Sequence, residues 1–312
     1  FAPFRLLNRG KLPVLMYHRF SEGEEIGKTS RGTFERHLRY LTRHYSVISL
    51  SEAVSRLRDG RVLPERSAVI TVDDGYSDFF EIAFPVLEKF QVPAVIYLVS
   101  GFTSAECWIW TDKARYILLA TPLDRLEFRI GERSFSSELG DSASRLRLAG
   151  SLNSELKKLA DTEKNVYLED LANGMKVDLP RTPPGQYSAL TWDQARELAS
   201  GGIEIGSHTH THPILTNVDA ERLQDEIERS RTTIQNELQR ELVHFCYPNG
   251  NVARRERDAA EAAGYASAVT TEIRLCENGE DRFLIPRIDA EPELHRFVQS
   301  TSGFDAFKSG RR

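Results

Sequence analysis

From Leu12 onward, short β-branched runs alternate with amphipathic stretches, and this alternation restricts the chain more than any other feature. Strands that each lead into a helix form βα units, and such units assemble into a parallel sheet or barrel. The chain is therefore read as α/β. Strand candidates fall at residues 12–17, 47–50, 68–72, 94–99, 203–205, 243–247, 266–269 and 283–288. Between them, Thr33 can cap a helix whose Phe34, Leu38 and Leu41 share a face, and Ser51 can cap another that stops near Gly60. Asp219 can cap a long helix with Leu223, Ile227, Ile234 and Leu238 inward, and residues 254–263 form one that ends at Gly264.

The rhythm breaks at about residues 102–189, which read as an insert within one domain spanning 1–312. Inside it lie a helix around 112–120, a hairpin through Ile130-Gly131-Glu132, polar helices over 142–160 and a turn-rich stretch at 180–185.

Composition removes several classes of function. A net charge of -5 leaves no basic surface for nucleic acid. The longest apolar runs, such as 93–99, fall far short of the roughly 20 residues of a membrane span, so no transmembrane segment is expected. Residues 1–11 lack the apolar core of a signal peptide, and position 1 is Phe, which leaves a trimmed leader open. Cys107, Cys246 and Cys276 have no metal-knuckle spacing, and their odd number leaves at least one thiol unpaired within the chain. A cytoplasmic location is expected, or a periplasmic one if a leader was removed. The oligomeric state is not legible.

Two separated stretches carry chemistry. Val-Asp-Asp-Gly at 72–75 ends a β-like run, and Gly75 permits a sharp turn that leaves Asp73 and Asp74 at the strand's C-terminal mouth, where barrel enzymes keep their sites. Taken alone, Asp-Asp-Gly is equally an ordinary turn. The second stretch, Ser-His-Thr-His-Thr-His-Pro at 207–213, also follows a strand. One helical turn between His208 and His212 would bring both rings to one side, with His210 pointing away as a structural residue. Joined to Asp74, the pair makes an Asp-His-His set with open positions, the donor set of a catalytic divalent ion. A carboxylate bound to such an ion is a poor proton acceptor, whereas its free neighbour Asp73 can serve as a base.

At this point the residues resemble a family. Val72-Asp-Asp-Gly75, His208-x-x-x-His212-Pro213 and Phe245-Cys-Tyr-Pro-Asn-Gly250 are similar to the first three motifs of NodB-type polysaccharide deacetylases, carbohydrate esterase family 4. Pro13-Val-Leu-Met-Tyr-His18 and the segment from Thr191 to His208 look like the branch associated with exopolysaccharide biosynthesis. The resemblance implies a distorted (β/α) barrel of about seven strands. It also implies a divalent ion, most often Zn2+ with Co2+ or Ni2+ as alternatives, and hydrolysis of acetyl groups on N-acetylated oligo- or polysaccharides. By motif position Asp73 is the base, Asp74, His208 and His212 hold the metal, and the Asn249 N–H helps bind the oxyanion. Tyr247 and Pro248 of the third motif are taken as substrate contacts, as is Trp110 of the insert, with Trp108 beside it and Asp112 as an acid near sugar hydroxyls, although apolar residues before a helix more often cover a barrel than bind ligand.

Departures matter as much. Cys246 stands where the family usually has an arginine beside the base, and Arg287, in Ile-Pro-Arg-Ile-Asp at 285–289, is the candidate to replace it. No late Leu-x-His motif is evident, because His295 sits in a charged, helix-like segment. His18, at the end of the first strand, is the alternative acid for the leaving group. With these motifs altered, a non-catalytic carbohydrate-binding relative, an O-acetyl esterase and another amidase remain as rival readings.

Overall fold

The computed structural model of the chain describes residues 2–304. Seven strands form its centre: β1 (Val14–Tyr17), β2 (Ser67–Val72), β3 (Val95–Leu98), β4 (Glu204–Ser207), β5 (His244–Cys246), β6 (Ser267–Ile273) and β7 (Ile285–Asp289). All pair in parallel, in the order β1-β7-β6-β5-β4-β3-β2, and β2 pairs back onto β1 to close a barrel. Every residue of β1, β2, β3 and β5 is buried. Barrel strands are covered on both faces, which is why they read as continuous apolar runs rather than alternating ones. The candidate at 47–50 shrinks to Ser46–Val47 beside the first two residues of β2, outside the ring, because Ser49 already caps the next helix.

Ten helices of seven or more residues follow: α1 (Arg31–His44), α2 (Leu50–Arg58), α3 (Phe84–Phe90), α4 (Trp110–Ala120), α5 (Ser142–Leu156), α6 (Asp161–Gly174), α7 (Trp192–Ser200), α8 (Ala220–Leu238), α9 (Arg254–Ala262) and α10 (Leu294–Thr301). Two caps lie upstream of their expected positions. Ser30 accepts the Thr33 N–H and Ser49 the Glu52 N–H, so Thr33 and Ser51 lie inside the first turns of α1 and α2, Thr33 buried and Ser51 exposed. Asp219 caps α8 as expected, accepting from Arg222 N–H, and Gly264, at φ +87°, follows the end of α9.

The insert lies between β3 and β4. It contains α4, the hairpin of Arg125–Ile130 and Arg133–Glu138, then α5 and α6. The sequence reading did not anticipate α6, whose Leu168 and Leu171 join Ile117, Leu126 and Leu152 in an apolar cluster separate from the barrel's. No helix among the described residues is long and apolar enough to cross a membrane.

Register delivers the chemistry to one end. Tyr17 is opposite Val72, so His18 and Asp73 emerge side by side, and Ser207 opposite Phe245 does the same for His208 and Cys246. Arg287, in β7, is level with Ile273 and fully buried.

Candidate active site

Asp74, His208 and His212 converge. The Oδ1 of Asp74 lies 3.5 Å from His208 Nε2 and 3.4 Å from His212 Nε2, and the two imidazole nitrogens are 3.2 Å apart. Ligands about 2.0–2.1 Å from a tetrahedral ion stand roughly 3.3–3.4 Å from one another, so this triangle fits a divalent metal. His208 Nδ1 donates to the Cys246 carbonyl at 2.8 Å, which fixes the tautomer and leaves Nε2 with its lone pair facing Asp74. Burial lowers the pKa of both rings, and in His212 the neighbouring His208 lowers it further, so both are neutral donors. Burial also raises the Asp74 carboxyl, against the pull of His18 and His208; a cation in the triangle would reverse that shift.

The histidines do not share a helical turn. Residues 208–214 form a loop, and left-handed backbone at Thr209 (φ +69°) and His212 (φ +63°) folds the segment back until the ring centroids are 4.7 Å apart. Among the described residues, nine non-glycine positions have positive φ; Asp74, Thr209, His212 and Asn249 are four of them. Backbone strain of this sort concentrates where surrounding structure dictates an uncommon geometry. Glu226 of α8 supplies part of that structure. Its fully buried carboxylate accepts the His210 and Thr211 N–H groups at 2.8 Å each. Sequence reasoning missed Glu226, although an acid next to Ile227 on an inward apolar stripe is the signal that could have exposed it.

Asp73 has a different environment. Arg287 donates Nη1 to Oδ1 and Nη2 to Oδ2, both at 2.7 Å, and also reaches Thr71 Oγ1 at 3.0 Å and the Thr270 carbonyl at 2.8 Å. Burial works to raise the Asp73 pKa, but Arg287 overrides it and holds the carboxyl well below the usual range. Arg287 therefore stands where the sequence reading placed its charge. The Cys246 thiol lies 3.5 Å from Asp73 Oδ2 and 3.2 Å from Arg287 Nη2. Burial pushes that thiol far above its ordinary pKa, so it stays protonated and donates to the carboxylate.

His18 Nε2 lies 3.8 Å from Asp73 Oδ2 with its ring half exposed at the mouth. Asn249 is exposed in the loop after β5, at φ +59°. His210 bonds Ser100 Oγ through Nδ1 and lies 3.3 Å from Glu106 through Nε2, a structural position, and His295 is exposed on α10.

Three expected substrate contacts are not open to a sugar. Tyr247 is fully buried against Phe245 in the barrel core, and Pro248 is buried beside it. Trp110 is packed in the insert core with Lys164 Nζ 4.4 Å from its ring centroid, so that face is already covered. The Asp112 carboxylate is likewise 1% exposed and accepts from Tyr76 Oη rather than from solvent-side hydroxyls.

Comparison with known proteins places this geometry. The family profile described as polysaccharide deacetylase matches residues 60–268. The chain belongs to the polysaccharide deacetylase family. A family relative, YxkH of Bacillus subtilis strain 168, itself named as a polysaccharide deacetylase, is 23% identical over 298 residues, covering 95% of this chain and 76% of that one. The poly-beta-1,6-N-acetyl-D-glucosamine N-deacetylase of Escherichia coli K12 matches locally, 43% identical over 51 residues that make up 16% of this chain and 8% of that protein. In fold, this family member is similar to the Streptococcus pyogenes deacetylase PplD, with a TM-score of 0.63 at 17% identity, covering 93% and 98% of the two chains. The seven-stranded barrel is thus the fold of the family's deacetylases.

Proposed function

We propose that the chain is a metal-dependent hydrolase that removes acetyl groups from N-acetylated sugars of a polysaccharide or its precursor. The observation that carries this reading is the Asp74-His208-His212 triangle set beside an Asp73 whose carboxylate is paired with Arg287. Family membership supports the deacetylation, and the local match to an N-acetylglucosamine polymer deacetylase supports the amide substrate.

Asp74, His208 and His212 would hold the ion, with Zn2+ the first choice for two nitrogens and one carboxylate and Co2+ or Ni2+ as alternatives. Bound there, a divalent ion polarises the acetamide carbonyl and lowers the pKa of water. Asp73 takes the proton of the attacking water. The two-point Arg287 clamp keeps the Asp73 carboxylate ionised and oriented. The Asn249 backbone N–H donates to the oxyanion, a role that its side chain does not affect. As the tetrahedral centre collapses, the C–N bond breaks, and His18 gives the departing nitrogen its proton.

Chelation should abolish acetate release from N-acetylglucosamine oligomers, and Zn2+ or Co2+ should restore it. Asp74→Ala should remove metal binding; a variant that binds metal like the wild type would overturn the assignment. Parallel product analysis on acetylxylan separates amide from ester hydrolysis.

A further inference from the structure

The backbone that presents Asp74 takes a left-handed conformation at two consecutive positions, Asp74 at φ +76°, which is strained for a residue with a side chain, and Gly75 at φ +80°, which glycine adopts freely. A side chain at Gly75 would meet Leu98 of β3, since an added Cβ lies 2.9 Å from Leu98 Cδ2. Such a conformation lasts only where neighbours impose it. On the barrel side Asp73 N–H donates to the Tyr17 carbonyl at 2.9 Å. The remaining restraints on the loop's far end include both ends of the insert.

Where the insert rejoins the barrel, Leu190 N–H donates to the Gly75 carbonyl and Ser77 N–H to the Ser188 carbonyl, each at 2.9 Å, and Tyr76 bridges to Ala189. Where the insert begins, Phe102 packs edge-on against the Tyr76 ring at 5.3 Å, and Tyr76 Oη donates to Asp112 Oδ2 at 2.5 Å. Asp112 lies in the first turn of α4 and is 1% exposed, and its other oxygen accepts from Arg115 at 2.9 Å. A buried, charge-assisted bond of this length is a directional restraint on the tyrosine. Tyr76 is only two residues from Asp74, and Arg19 covers its ring at 3.8 Å, so movement of the ring carries the loop with it.

We infer that the insert sets the geometry of the metal centre, with Asp112 acting through Tyr76 as a positioning residue for Asp74. The inference rests on Asp74 being a metal ligand. It assigns the insert a task within the reaction centre, where a covering subdomain would leave the ligand loop indifferent to its contacts. Neither Asp112 nor Tyr76 is required to touch substrate or metal.

Zn2+ affinity of the metal-free protein, read by competition with a chromophoric chelator, is the test. Residues that orient a ligand typically contribute 10–100-fold to metal affinity, so Tyr76→Phe and Asp112→Asn should each weaken binding by roughly that factor. Tyr76→Phe removes the bond and Asp112→Asn removes its charge assistance, so the double variant should be no weaker than Tyr76→Phe alone within about twofold. Melting of the metal-free variants is followed alongside, and affinity is compared at a temperature where each is folded; should Asp112→Asn not fold, Tyr76→Phe decides. Wild-type affinity in the variants, or losses that multiply in the double, would overturn the inference. If the wild type itself binds no Zn2+, the metal assignment falls and takes this inference with it.

Discussion

Arg287 donates two hydrogen bonds to Asp73 and none to Asp74, so the Asp73 carboxyl is held below its ordinary range while burial raises that of Asp74. The guanidinium is fully buried, so its charge and the carboxylate's depend on each other for solvation. Removing one partner leaves the other uncompensated in the core. Arg287→Ala is expected to destabilise the fold by about 3–5 kcal/mol and to suppress turnover together with it, measured by chemical denaturation and acetate release. Arg287→Lys keeps the charge but not the fork, and should recover part of the stability and less of the activity. A variant with wild-type stability would show that the pair is not what holds Asp73. At this scale the sequence marked Asp73, Asp74, His208 and His212 through their spacing after strands. It marked Arg287 only through a gap elsewhere, at Cys246, because one residue's empty role says nothing about which distant strand fills it.

At the level of elements, the strongest periodic signals survive intact and the boundaries move. Helix α1 was legible from Phe34, Leu38 and Leu41, yet its start shifted to Ser30, since a cap is chosen by which N–H groups the fold leaves free. The histidine loop is the sharper case. An i, i+4 spacing suits a helix, but left-handed residues and the Glu226 anchor achieve the same convergence without one. Another histidine, His37 on α1, stacks on Phe297 of α10 at 3.8 Å and shares a 3.1 Å hydrogen bond with Tyr17. Burial, aided by Arg36, lowers its pKa from 6.5 to about 4. The unfolded chain therefore binds a proton there below pH 6.5 while the folded one does not until about 4, so stability falls as pH drops through that window. The shift bounds the loss at roughly 3 kcal/mol. Urea midpoints between pH 7 and 4 should show a shallower decline for His37→Gln than for the wild type; equal slopes would remove His37 as the source.

For the molecule as a whole, the Asp74-His208-His212 triangle joins loops that follow β2 and β4, so an ion bound there would tie the barrel to itself. Ligands that bind only the folded state raise its stability by RT ln(1 + [L]/Kd), about 2.7 kcal/mol at a hundredfold excess over Kd. The melting temperature should therefore rise with Zn2+ concentration in the wild type and stay flat in Asp74→Ala, as thermal scans in chelator and in metal would show. A rise of equal size in both would place the stabilising ion elsewhere. By itself the sequence determined the α/β class, the insert and the residue types of the proposed metal and base positions, because strand periodicity and motif spacing are local properties, while the choice of a barrel over an open sheet came from the family resemblance. Only the tertiary structure decided that Arg287 grips Asp73, that Tyr247 and Trp110 are packing residues, and that Asp112 reaches the loop of Asp74. Those contacts join residues far apart in sequence, and strand register and packing set which of them meet.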